Sequence, residues 1–189
     1  MEQTFDLNNI RLIVGLGNVG DDYKNTRHNA GFIFVDSLIQ AWQPQLNWSK
    51  NSDLQAEIIT FKPNSDQSFI LAKPTTMMNL SGQAVSKLLN YYKVTPAQLL
   101  LVHDDLDLRL GDSKLHFARG PKDHNGILSV VQFLGGKDFW RLRIGVDARE
   151  VKGNKGIPGE KYSLERFKTA EREILDGMIQ ENISNYFAS

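Results

Sequence analysis

The stretch Ile10-Arg-Leu-Ile-Val-Gly-Leu-Gly-Asn-Val-Gly20, followed by Asp21-Asp-Tyr-Lys-Asn-Thr-Arg-His-Asn-Ala-Gly31, sets the reading of the whole chain. Leu12, Ile13 and Val14 make a short continuous apolar run, which suits a strand buried on both faces. Gly15, Gly17 and Gly20 then interrupt it and permit close backbone approach. Behind the glycines come side chains able to do chemistry: Asn18, Tyr23, Arg27, His28 and Asn29. Open α/β sheets keep their sites where strands empty into loops of this kind.

The spacing Gly15-x-Gly17-x-x-Gly20 also fits the dinucleotide fingerprint, which requires a helix to start at once behind the glycines. Here the helical pattern begins about ten residues later, near Ala30, and Asp21 and Asp22 stand where phosphate oxygens would lie. Asp36, the acid at the expected distance, falls inside the helical pattern. The loop is better read as a display of an amide, Asn18, and an imidazole, His28.

With 189 residues, 41% of them hydrophobic and 23% charged, the chain is long enough for one domain with a proper core. The absence of Cys excludes disulfides, a thiolate nucleophile and cysteine-based zinc sites. No apolar run approaches a membrane span, and the first nine residues lack the order of a signal peptide, so a cytoplasmic protein is expected. Lys plus Arg and Asp plus Glu both number 22, so a nucleic-acid partner would need a local basic patch.

Outward from the first stretch, residues 30–42 place Phe32, Val35, Leu38, Ile39 and Trp42 on one helical face, and Pro44 ends the pattern. Residues 54–61 and 68–73 read as the strands of a hairpin around Lys62-Pro-Asn-Ser-Asp66. Lys73-Pro-Thr-Thr-Met-Met-Asn-Leu-Ser-Gly82 follows, with Asn79 or Ser81 as the expected cap of a helix bearing Ala84, Val85, Leu88, Leu89 and Tyr92. After Thr95-Pro96, a helical start, Leu99 to Val102 is a second buried strand that discharges into His103-Asp-Asp-Leu-Asp107. Asp104 there could orient an imidazole. Turn chemistry, a solvated acidic edge or a divalent-cation site are the other readings of these acids, although no second ligand cluster accompanies them.

Residues 114–117 alternate as a strand, residues 118–123 form a loop, and His124-Asn-Gly126 opens a helix stopped by Gly135-Gly136. Residues 139–146 form a further strand carrying Arg141 and Arg143 on one face. Residues 147–160 read as a loop and residues 169–187 as a closing amphipathic helix. The expected fold is a single-domain three-layer α/β sandwich, a mixed, mostly parallel twisted sheet between helices, over residues 10–189, with residues 1–9 as an N-terminal extension. The loops bearing Asn18, Asn79 and Asn125 each follow a strand and precede a helix, and so converge on one sheet edge with His28 and Asp104.

An imidazole with one carboxylate partner, and neither Cys nor a Gly-x-Ser-x-Gly elbow, suits a general base that activates water against an ester. The four stretches at 15–32, 73–82, 103–108 and 124–126, in that order, resemble the motifs of bacterial peptidyl-tRNA hydrolase. The resemblance spans residues 10–187. It implies hydrolysis of the ester between peptide and tRNA, without cofactor or metal, by a cytoplasmic monomer. His28 matches the base, Asp104 its carboxylate, and Asn18 the amide that separates blocked from free aminoacyl groups. Tyr23, Met77, Asn79 and Asn125 match positions that hold the peptide and terminal nucleotide. Lys114, Arg141 and Arg143 match basic positions near tRNA phosphates. The chain departs from the family at Met77, where a Phe is usual, at Val19, where a Pro is usual, and in the loops at 118–123 and 145–149. None of these departures removes a catalytic group. A homologue that grips RNA with little turnover is the alternative.

Overall fold

The computed structural model describes residues 4–62, 67–119, 123–149 and 156–187. Seven strands form one sheet: β1 (Leu12–Gly15), β2 (Ser49–Asn51), β3 (Ala56–Phe61), β4 (Phe69–Pro74), β5 (Leu99–Arg109), β6 (Ser113–Phe117) and β7 (Trp140–Asp147). Their spatial order is β2-β3-β4-β1-β5-β7-β6. β4, β1, β5 and β7 run parallel, while β2, β3 and β6 are antiparallel flanks. The hairpin expected of the 54–73 region is the β3–β4 pair, although residues 63–66 lie outside the described residues.

The helices are α1 (Ala30–Trp42), α2 (Ser81–Tyr92), α3 (Asn125–Leu134), α4 (Gly159–Ser163) and α5 (Thr169–Tyr186). Alternation along the strands sorts the core into two layers. Ile13, Leu71, Leu100, Val102, Leu142 and Ile144 face α1 and α5 through Phe34, Leu38, Leu175 and Ile179. Leu12, Val14, Ile70, Ala72, Leu99 and Leu101 face α2 and α3 through Val85, Leu88, Ile127 and Val130. This is the three-layer α/β sandwich the pattern predicts. The N-terminal segment joins in, because Phe5 meets Trp140, Tyr186 and Phe187 edge-on or tilted.

Packing accounts for the glycines of the first stretch. A Cβ on Gly15 would lie 2.3 Å from the Gly31 carbonyl oxygen, and one on Gly17 would strike the Phe32 ring. β1 thus ends directly against the start of α1, and no helix N-terminus is left behind the glycines for a pyrophosphate. Asp36 lies in α1, bound to Lys73 Nζ at 2.9 Å and Trp48 Nε1 at 2.7 Å.

Four local expectations need correction. β5 does not end at Val102 but continues to Arg109 because β7 keeps pairing with it, so Asp104 stands inside a strand opposite Ile144. Neither Asn79 nor Ser81 caps α2: a 3-10 turn (Met78–Leu80) leads in, Leu80 occupies the cap position, and Ser81 Oγ donates to the Met78 carbonyl at 2.8 Å. The 147–160 region holds the start of α4. The edge strand β2, too polar and short for a strand pattern, was not expected.

Candidate active site

The loops leaving β1 and β4 run to helices on opposite faces of the sheet, α1 and α2, and open a crevice at the carboxyl ends of the parallel strands. A cleft of about 1090 Å³ lies there, lined by Asn18, His28, Met77, Asn79, Asp104 and Asn125 among others. The three asparagine loops therefore converge as expected.

His28 sits in a 3-10 turn (Arg27–Asn29) at the head of α1. Its Nδ1 lies 2.9 and 3.0 Å from the two oxygens of Asp104. An ionised carboxylate only accepts, so Nδ1 carries the proton and the Nε2 lone pair is left without a partner among the described residues. Burial works against the charged form of His28. The Asp104 charge and hydrogen bond outweigh it and raise the pKa above the usual histidine value. Asp104 is fully buried, which would push its carboxyl up, but the imidazoles of His28 and His124 and their hydrogen bonds hold it far below the carboxylate range.

His124 is the residue that sequence reasoning missed. Its Nε2 donates to Asp104 Oδ1 at 2.9 Å, while its Nδ1 accepts the N–H groups of Gly126 and Ile127 at 3.1 and 3.3 Å. Those two backbone donors orient the ring, which both caps α3 and donates to Asp104. The sequence signal was a histidine at a helix cap position; its partner, in β5, is 20 residues away. Behind them His103 is buried, with Nδ1 donating to the Asp104 carbonyl at 2.7 Å. Burial, then the neighbouring His124, hold its pKa well below the usual value, so it is a neutral wall.

Among the described residues, His28, Asp104 and His124 form the group whose atoms lie close enough to hold a metal ion. As hydrogen-bonded, these groups are spent on one another and on α3. Both facing imidazole nitrogens carry the protons they give to Asp104, and the remaining His124 nitrogen is used by α3, so no converging lone pairs are left beside the carboxylate.

Asn18 is nearly buried and clamped. Its backbone N–H and C=O pair with the Asn29 side chain at 2.8 and 2.9 Å, and its Oδ1 accepts the Met78 N–H at 2.8 Å. A backbone donor on that side fixes the amide orientation, so Nδ2–H₂ is what Asn18 offers the cleft. Met77, Asn79 and Asn125 are exposed on the rim. Arg141 and Arg143 reach the cleft from β7. Arg143 Nε binds Asp105 Oδ2 at 2.6 Å, and an Arg141 N–H donates to the Arg119 carbonyl. Lys114 pairs across from Arg143 on β6, on the same face but outside the cleft lining, and Tyr23 also lies outside it. Arg27 is buried away from the cleft. Residues 120–122 of the 118–123 loop, Lys122 included, lie outside the described residues.

Fold and cleft together define a three-layer α/β protein with an imidazole–carboxylate centre of the kind hydrolases use to activate water. A family model of peptidyl-tRNA hydrolases matches residues 12–187. A peptidyl-tRNA hydrolase from Mycoplasmopsis synoviae is 38% identical over 162 residues, covering 86% of this chain and 82% of that protein. One from Neisseria meningitidis serogroup A is 37% identical over 181 residues, covering 93% and 88%. The crystal structure of peptidyl-tRNA hydrolase from Acinetobacter baumannii superposes with a TM-score of 0.82 at 32% identity, covering 96% of this chain and 88% of that one. The chain belongs to the peptidyl-tRNA hydrolase family.

Proposed function

We propose that this protein hydrolyses the ester joining a peptide, or an N-blocked aminoacyl group, to tRNA, with His28 as general base. The observation that carries the reading is the His28–Asp104 pair: both carboxylate oxygens hold Nδ1–H and leave the Nε2 lone pair to the cleft. A water on Nε2 loses its proton to the ring as its oxygen attacks the ester carbonyl. Asp104 stabilises the imidazolium that forms, and Asn18 Nδ2–H donates to the developing oxyanion. When the tetrahedral species collapses, the ring returns the proton to the ribose oxygen of the leaving tRNA. These transfers draw on no metal ion, and an alkoxide leaves readily enough for direct attack by water.

For the rest of the substrate, Asn79 and Asn125 on the rim offer amides to the peptide and terminal nucleotide, with the Met77 thioether as an apolar surface beside them. Lys114, Arg141 and Arg143 share one face of β6 and β7, which supports that face as the track of the acceptor-arm phosphates. Tyr23, outside the cleft, would reach substrate only from its flank. We place the reaction in the cytoplasm, where tRNA is used, and in a monomer, because one chain supplies the cleft. Among the described residues no helix is long and apolar enough to cross a membrane.

Turnover of N-blocked aminoacyl-tRNA by the wild type and His28→Ala tests the proposal. The variant should lose at least ~10²-fold in kcat, the lower range for loss of a general base. Near-normal kcat in His28→Ala would overturn the mechanism, and no turnover by the wild type would overturn the function.

A further inference from the structure

We infer that Arg27 is a positioning residue that holds the His28 turn and one wall of the cleft in a single frame; the inference rests on His28 being the base. The turn that carries His28 has little support of its own. It is three residues of 3-10 helix, and Thr26 at its cap position makes no side-chain capping bond. His28 is tied to Asp104 and Asn29 to Asn18, while the Arg27 end of the turn is held from the far end of the chain.

The Arg27 side chain is 3% exposed. One guanidinium nitrogen, Nη1, points to three carbonyls, those of Glu165, Arg166 and Tyr162, at 3.2, 3.4 and 3.5 Å. The other, Nη2, donates to Glu171 Oε2 in α5 at 2.7 Å, and that oxygen also accepts the Lys168 N–H at 3.0 Å. The guanidinium carbon lies 3.9 Å from the centre of the Tyr162 ring. The main chain follows the same path: Arg27 N–H donates to the Glu165 carbonyl, Phe167 N–H to the Asn25 carbonyl, and Thr26 bridges Arg166. Tyr162 belongs to α4, and Gly159, Glu160, Ser163 and Leu164 line the same cleft as His28 and Asp104. The Tyr162 hydroxyl accepts the Ala148 N–H, which ties in the end of β7.

A buried ion pair is poor evidence for stability, because desolvating both partners offsets much of their attraction; its best-attested use is to fix one arrangement over others. Arg27 Nε is buried without a partner, a further cost that a purely stabilising design would avoid. A planar fork gathering three carbonyls and a carboxylate defines a direction as well as a distance. Displacing a reacting group by about 1 Å costs up to ~10²-fold in rate. Arg27 precedes His28, so a shift in one is a shift in the other.

The test compares kcat, KM and the pH profile of Arg27→Met, Arg27→Lys and Glu171→Gln with those of Leu88→Ala. Leu88→Ala is a destabilised control in the opposite layer, and all assays are run well below each Tm. Arg27→Met should lose at least ~10-fold in kcat with KM changed less and the acid limb of the pH profile unmoved, since geometry and not basicity is lost. Arg27→Lys should recover part of the loss and Glu171→Gln show a smaller one. Leu88→Ala should keep its kcat. If Arg27→Met does not fold, the Lys and Gln variants decide by the same criteria. A kcat loss no greater than that of the control, or an acid limb that moves with the loss, would overturn the inference. Full turnover by His28→Ala in the same series would instead overturn the assignment of the base.

Discussion

The side-chain oxygen of Asn18 accepts the backbone N–H of Met78 at 2.8 Å, across the crevice between the β1 and β4 loops. The amide therefore has one end committed to the fold and the other to the cleft. Asn18→Asp retains an oxygen for Met78 and loses the donor, so it should fold normally while kcat falls by ~10²-fold, the scale for one oxyanion donor. A carboxylate there also attracts a free α-ammonium, so the preference for blocked over unblocked aminoacyl-tRNA should narrow. Measuring kcat/KM for both substrates, with Tm alongside, checks both outcomes; an unchanged ratio and rate would remove Asn18 from the chemistry.

The raised pKa of His28 has a kinetic sign. The base works when Nε2 is unprotonated, so activity should be low in acid and rise through a limb above the ordinary histidine value of ~6.5. Asp104→Asn removes the charge that raises that pKa, so the limb should move to lower pH. It should also favour the tautomer with the proton on Nε2, so the plateau should fall by ~10²-fold or more. His124→Asn separates two jobs, because Asn still caps a helix but is too short to reach Asp104. Stability should fall by about 1–3 kcal/mol, because the cap is kept but the buried carboxylate loses a donor. The unshared carboxylate then acts more strongly on His28, and the limb should move to higher pH. A profile identical to wild type would show His124 to be a cap and nothing more.

Much of this arrangement could be read from the residues in order, and the failures have physical reasons. The 3.6-residue spacing of residues 30–42 and the apolar runs at 12–14 and 99–102 fix α1, β1 and the first half of β5, because burial dictates their pattern locally. The second half of β5 reads as a loop because His103, Asp104 and Asp105 are polar. In the fold they are a strand because β7 pairs with them and Arg143 neutralises Asp105. His124 escaped for the same kind of reason: its cap position is local, but its hydrogen bond to Asp104 is tertiary. Asn79 looked like a cap because caps favour asparagine, and the 3-10 lead-in freed it for the rim.

The Arg143–Asp105 pair predicts how binding responds to salt. Both side chains are mostly buried and 2.6 Å apart, so part of the cation's field is already answered inside the protein. If phosphates pass over this face, Asp105→Asn should tighten tRNA binding at low salt and steepen the log Kd against log[salt] slope by about one unit. Arg143→Gln should weaken all tRNAs alike and flatten it. Binding isotherms at several salt concentrations would show it; three equal slopes would take the tRNA off this face.

Two glycines calibrate the packing. A Cβ on Gly31 would lie 2.3 Å from the Val102 carbonyl oxygen and 2.6 Å from the Leu16 nitrogen, backbone atoms that cannot swing aside. Gly31→Ala should cost about 1–3 kcal/mol. Gly177, exposed in α5 with nothing near its Cβ direction, should accept alanine with a gain of ~0.5–1 kcal/mol. Urea unfolding of the two variants measures both, and equal midpoints would contradict the packing account.

Arg27 and Glu171 are 144 positions apart. The link between them closes only once the ribosome has made and released nearly the whole stretch that the family shares. Until then the base turn lacks this brace, although β5, which carries Asp104, and the loop that carries Asn18 have already emerged. The base turn is thus completed by one of the last elements of the chain to be made, α5. Chains truncated before Glu171 lose this brace together with the α5 side of the core, so they should lose turnover and cooperative unfolding at once.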